Sequence, residues 1–208
     1  MARTLRAAPS GLRITIRRPV RPVAMWYPAG DFTLRQAKDF LRKDFLKVVR
    51  RTKYFYVDRK PTKQYGAGFF EPILLCLCWC DFLGALYSGY GRPHNEGGLS
   101  NEGRMTAFIV DILGHVNPRY KGVSRDLVRV YRHGTIHAYA PAGRFHIVTR
   151  DQKKHLQKRG NLLTISLDDL LREMIAATKH FATVLKAESK SFKSGTLVAF
   201  NKARSELQ

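Results

Sequence analysis

Residues 130–139, VYRHGTIHAY, set Arg132, His137 and Tyr139 in the spacing Arg, any four, His, any one, Tyr. A histidine moves a proton near neutral pH, and an arginine holds a phosphate through a forked donor that keeps its charge. These are the two tasks that cleavage of a phosphodiester requires when it uses neither a metal nor a cofactor. Spacing alone carries little weight: with 22 Arg and 7 His in 208 residues, random placement gives roughly 0.7 such pairs. Arg150 and His155 repeat it in RDQKKH, without the tyrosine. Context separates the copies. The first closes an amphipathic run, SRDLVRVYRHGTIHAY, in which Leu127, Val128, Val130, Tyr131 and Ile136 allow a buried helix face. The second lies in a polar, turn-like segment.

On one ideal helix Arg132 and His137 stand about 140° apart, and Gly134 between them loosens the helix. His133 and His137 are four apart, the spacing of two imidazoles in some zinc sites, but the sequence offers no third ligand, so no metal is expected. Asp81 is the only charge in the middle of an apolar stretch; it must be paired, either anchoring an arginine of the bundle or polarising Arg132. Arg119, Arg125 and Arg129 lie beside the motif, where they can track a phosphate backbone or form a solvated helix face. A purely structural Arg132 would instead pair with Asp81 or Asp126, and His137 would cap a buried helix end.

The formal charge is +21 and the isoelectric point near 10.4, a field that concentrates polyanions, with RNA or DNA as the natural partner. Residues 1–24 hold six Arg and no acid and read as a basic Arg/Pro-rich arm, a targeting segment, or an extension ahead of Met25; Pro9, Pro19 and Pro22 break any long helix in it. The domain proper is expected over 25–187, with a polar basic tail at 188–208. Cys76, Cys78 and Cys80 fall in one apolar stretch at spacings that suit neither zinc ribbons nor a disulfide framework, as expected of packing residues in a reducing cytoplasm. No run reaches the roughly 18 apolar residues of a membrane span, so a soluble, cytoplasmic protein is expected.

The pattern predicts a mainly α protein: a bundle of about five helices with a small β-hairpin before the last. The first helix starts at Asp31 or Thr33 and runs through LRQAKDFLRKDFLKVVRR, with Leu34, Ala37, Phe40, Leu41, Phe45 and Val48 near one stripe and Arg and Lys opposite. A loop follows. The second spans EPILLCLCWCDFLGALYSGYG, with Pro72 in its first turn and Gly89 or Gly91 at its end. The third, capped by Ser100 or Asn101, ends near Gly114 to Pro118, and Ser124 caps the motif helix. FHIVT and LLTIS form the hairpin. The final helix starts at SLDDLLREM, with Asp168 and Asp169 at its positive end, and runs to about Lys186.

An Arg-x4-6-His motif on a late helix of an all-α bundle resembles the HEPN superfamily, and the trailing x-Tyr resembles the toxin of HEPN–MNT toxin–antitoxin pairs. The resemblance covers the motif and the helix order around it. Family members usually carry a polar residue, often Asn, directly after the arginine; here it is His133. The resemblance implies a metal-independent endoribonuclease, a toxin or defence effector acting as a homodimer whose two motifs meet across a symmetric cleft, with an antitoxin as a further partner. In that arrangement His137 transfers a proton at the attacking 2′-hydroxyl or the departing oxygen, Arg132 stabilises the phosphorane, and Tyr139 orients the phosphate or the histidine. His133 and Asp81 would support them. The alternative is a HEPN-like helical module that binds nucleic acid, or serves a structural or sensing role, without cleaving.

Overall fold

The computed structural model describes residues 30–59, 71–91, 99–131, 145–187 and 194–207, and only the backbone at 129–131 and 145. Thr33 starts the first helix, α1 (residues 34–58): its hydroxyl accepts the Gln36 N–H, and the Gln36 carboxamide accepts the Thr33 N–H at 2.8 Å, a reciprocal cap. The buried stripe is Ala37, Phe40, Leu41, Phe45, Leu46 and Val49, one step round from the predicted one, with Leu34 and Val48 half-buried. At residues 40–45 a wide π-helical turn brings positions five apart into register, and the rings of Phe40 and Phe45 lie 6.4 Å apart. The helix also continues to Asp58, through the predicted loop. A second wide turn, Tyr54–Asp58, buries Val57, and Lys53 bonds Asp58 five residues on at 2.7 Å.

α2 (Glu71–Ser88) admits Pro72 in its first turn and gives way at Gly89, whose φ of +83° suits a residue without a Cβ. By length and composition α2 would pass for a membrane span, although Glu71 and Asp81 interrupt its apolar run; it packs as the central helix, most densely on α3 (residues 101–116). Gly84 sets that contact: a Cβ there would stand 2.3 Å from the Arg104 carbonyl oxygen. The same Arg104, only 6% exposed, grips Asp81 with two nitrogens, at 2.8 and 3.1 Å, and donates to the carbonyls of Tyr90 and Gly91. Four of the five N–H groups of its fork are thereby engaged.

Ser100 caps α3 by accepting the Gly103 N–H, and α3 stops before Asn117 and Pro118. α4 (Arg119–Tyr131) begins directly after them. Its cap is Asn117, whose side-chain oxygen accepts the Arg119 N–H; Ser124 lies inside the helix and bonds back to the Lys121 carbonyl, correcting the predicted cap. β1 (Phe145–Val148), β2 (Lys158–Arg159) and β3 (Leu162–Ser166) form a sheet in the order β1-β3-β2. FHIVT and LLTIS are not a hairpin: β1 runs parallel to β3. The chain turns back between them, through Leu156 at φ +59°, and the hairpin is β2 with β3 around Gly160. Parallel pairing needs such a return.

α5 (Leu167–Val184) follows as expected. Within the stretch expected as a polar tail, α6 (Leu197–Leu207) buries Ala199, Phe200 and Ala203 completely. Asn201 clamps Phe32, accepting its N–H at 3.0 Å and donating to its carbonyl at 2.9 Å, while the Arg204 guanidinium lies 4.2 Å above the Phe32 ring. The fold is thus mainly helical, with a small three-stranded sheet between α4 and α5. A relay of rings unites the helices: Phe108 on Phe181, Phe181 on Phe200, Phe200 on Phe40, and Phe40 and Phe45 on Phe82, all with centroids between 6.0 and 6.5 Å apart.

Gly84→Ala puts a better helix former in α2 yet is expected to lower stability by about 1–3 kcal/mol, the scale of overpacking a tight contact. Arg104→Ala, which leaves Asp81 uncompensated, should cost about 3 kcal/mol. Urea denaturation followed by circular dichroism measures both; a Gly84→Ala midpoint at or above that of the parent contradicts the close crossing of α2 and α3.

Candidate nucleic-acid interface

With the inner stripe of α1 committed to the ring relay, its charges face outward. Lys43, Lys47, Arg50 or Arg51, and Tyr54 recur every three or four residues along that face. Together with Arg42, Thr52, Phe55 and Tyr56 they line an open cleft of about 850 Å³ that no carboxylate among the described residues lines. Lys43 pairs with Asp39 of its own helix at 3.0 Å. Arg42, Lys47, Arg50 and Arg51 are exposed and make no ion pair among the described residues. Two large rings close one end in the open, Tyr54 at 63% and Phe55 at 44% exposure. Phe55 stands edge-on to Tyr56, with centroids 4.9 Å apart, and the Tyr56 hydroxyl donates to Glu71 at 2.7 Å. Guanidinium and ammonium groups position a phosphate backbone, and exposed ring faces stack on bases.

Lys53 turns away from this cleft. It pairs with Asp58 and, at 3.0 Å, with Asp168 near the start of α5. Burial pulls its ammonium down, but the two carboxylates outweigh burial and leave it above its ordinary value. Arg150 reaches the same two carboxylates at 3.6 and 3.5 Å, so the end of α1, the turn after β1 and the start of α5 are knitted by charge. Asp169 accepts the Ser166 hydroxyl and an Arg172 nitrogen.

Of the residues singled out in the sequence, Arg132, His133, His137 and Tyr139 lie outside the described residues, as does the side chain of Arg129; α4 is described up to Tyr131, the residue before Arg132. Asp81 serves Arg104. Asp126, the other carboxylate a structural Arg132 would take, pairs with Lys158 at 2.8 Å. Arg119 donates to the His155 carbonyl at 3.0 Å and is partly committed to the fold, whereas Arg125 is exposed. Among the described residues no three His, Cys, Asp or Glu side chains are grouped to hold a metal ion.

The second Arg-x4-His copy behaves unlike a surface turn. His155 is 1% exposed. Its Nδ1 accepts the Ser166 N–H at 3.0 Å, which places the ring proton on Nε2, 2.9 Å from Glu173. Glu173 also accepts the Tyr120 hydroxyl at 2.7 Å and the Asn117 amide at 2.8 Å. Burial pushes the Glu173 carboxyl up, but His155, Tyr120 and Asn117 together hold it below its ordinary value, while burial and the Glu173 charge raise the Tyr120 hydroxyl well above its own. This buried group joins α4, the turn before β2, and α5; it is a structural tie.

Sequence reasoning missed both the α1 cleft and this tie. The cleft had a signal, the basic and aromatic interleaving of VVRRTKYFY, which was split between the end of the predicted first helix and the predicted loop. His155 had only Glu173, a carboxylate beside the buried Met174 on α5. Comparison with protein-family models, with curated proteins and with solved structures returns no match.

The tie makes stability depend on pH. Glu173 has a lowered pKa in the folded chain, so its contribution is complete above the ordinary carboxylate range and is lost as the pH falls through the lowered value. Thermal melts from neutral pH into acid should therefore show a smaller acid-induced decline for Glu173→Gln than for the parent. An equal decline contradicts the charged Glu173 of the tie.

Proposed function

We propose that the protein binds RNA along the outer face of α1. The observation that carries this reading is the cleft itself: five cations and two exposed rings share one concave surface that, among the described residues, no carboxylate lines. A solvated helix face leaves its aromatics inside, whereas this face exposes two and sets five cations against Asp39 and Asp44. The overall charge of +21 supplies long-range attraction, and the α1 face supplies a place for the strand to lie.

The second reading adds cleavage to binding. It takes Arg132 as the group that stabilises charge on the phosphorane, His137 as the proton carrier and Tyr139 as their orienting neighbour, in a metal-independent endoribonuclease of HEPN type, with a homodimer bringing two motifs together and an antitoxin as a further partner. What favours it is that Asp81 and Asp126, the carboxylates a structural Arg132 would take, are held by Arg104 and Lys158. The described part of α4 also leads straight into Arg132.

Replacing Arg50 and Arg51 together by Gln should lower affinity for RNA at low salt by on the order of tenfold and flatten the dependence on salt by about 1.4 log units per log unit, the share of two phosphate contacts on a single strand. Fluorescence anisotropy across a salt series measures both, and unchanged binding removes α1 as the reader. For cleavage, RNA incubated in EDTA should yield 2′,3′-cyclic phosphate ends, and Arg132→Ala or His137→Ala should each slow the reaction on the order of a hundredfold. The control is Arg150→Ala, because its side chain is 63% exposed; His155→Ala would damage the fold. Cleavage that survives His137→Ala in folded protein ends the catalytic reading.

A further inference from the structure

We infer that the α1 cleft is a single-strand site, in which Tyr54 stacks on an unpaired base while Lys47, Arg50 and Arg51 hold the neighbouring phosphates. The inference rests on the RNA-binding reading above and adds what form of nucleic acid the cleft accepts. Three features carry it. Tyr54 is a large ring left 63% exposed at the end of a cationic stripe, where it shields nothing in the core. A duplex hides the faces of its bases and offers such a ring only sugar and phosphate, so the aromatic area would go unused. From Lys43 to Tyr54 the stripe rises roughly 17 Å, the reach of a strand of roughly four nucleotides and the low end of single-strand sites.

The ring end is also held in place before any ligand arrives. Tyr56 is anchored on Glu71 at 2.7 Å, Phe55 rests edge-on against Tyr56, and the Arg59 guanidinium lies 5.9 Å from the Phe55 centroid. These contacts hold the helical turn from which Tyr54 projects, so less backbone freedom is lost when a base stacks on its ring. The wide turn at Tyr54–Asp58 spreads the three consecutive aromatics around the helix end, so that Tyr54 faces the cationic stripe while Tyr56 faces α2.

The test compares labelled oligouridine, the matching oligodeoxythymidine, and a blunt RNA duplex of equal length, by anisotropy, on the full chain. The parent should bind both single strands more tightly than the duplex. Tyr54→Ala should weaken single-strand binding about tenfold or more, the scale of one lost stacking contact, and leave duplex binding unchanged; Tyr54→Phe, which keeps the ring, should restore it. Because Tyr54 is exposed, the melting temperature of each variant should match the parent and exclude unfolding as the cause. Equal or tighter duplex binding, or an unchanged single-strand affinity in Tyr54→Ala, overturns the single-strand inference. If Arg50→Gln with Arg51→Gln still weakens binding in that case, the RNA-binding proposal survives; if neither variant weakens it, both fall.

Discussion

Phe200 is the ring through which the helices are brought to bear on one another. It lies against Phe32, Phe40 and Phe181 at once, and through Phe40 and Phe181 it reaches Phe82 on α2 and Phe108 on α3. Phe200 meets Phe40 edge to face and Phe181 tilted, while it lies stacked on Phe32, as Phe45 does on Phe82, all geometries that aromatic quadrupoles favour over a flat sandwich. The relay fixes which side of α1 is inward, and so which side carries Arg42, Lys47, Arg50 and Arg51 into solvent. The basic face is a by-product of where the phenylalanines must go.

Charge is sorted by the same logic. Of the two buried arginines, Arg104 spends its fork on a carboxylate and two carbonyls, and Arg204 lies over the Phe32 ring. Lys53 and Arg150 share Asp58 and Asp168 at the junction of α1 and α5. With 37 basic residues against 16 acidic, carboxylates are the scarce resource. Those near the structural joints are committed there, and the outer face of α1 is left as a nearly uncompensated field. Such pairs at the joints cost desolvation and return geometry more than stability.

The helical class, the Thr33 and Ser100 caps and the limits of α2 were legible because each depends on a few adjacent residues. Thr33 with Gln36, and Pro72 with Gly89, are local signatures. What was not legible depends on distant partners. FHIVT and LLTIS each read as strands, but parallel or antiparallel pairing is decided by the path of residues 149–161. The end of α1 looked like a loop because KYFYVD has no helical stripe, and the wide turn that accommodates it changes the period on which such a stripe is read. α6 was lost among Ser and Lys because its buried positions are small or lone: Ala199, Phe200, Ala203. At the motif, the legible part was α4, which runs to Tyr131; the types and spacing of Arg132, His137 and Tyr139 remain what argues for their chemistry.

Phe32 and Asn201 are separated by 169 positions along the chain, yet they exchange two hydrogen bonds. A contact that closes so long a loop forms late, since its entropy must be met before it returns anything. Until α6 arrives, α1, basic on one side and aromatic on the other, can dock only on α2 and α5. A long polyanion present during that interval competes with the core for the same segment. The face proposed to receive nucleic acid in the finished molecule is thus, until the far end of the chain arrives, held by fewer contacts to the core.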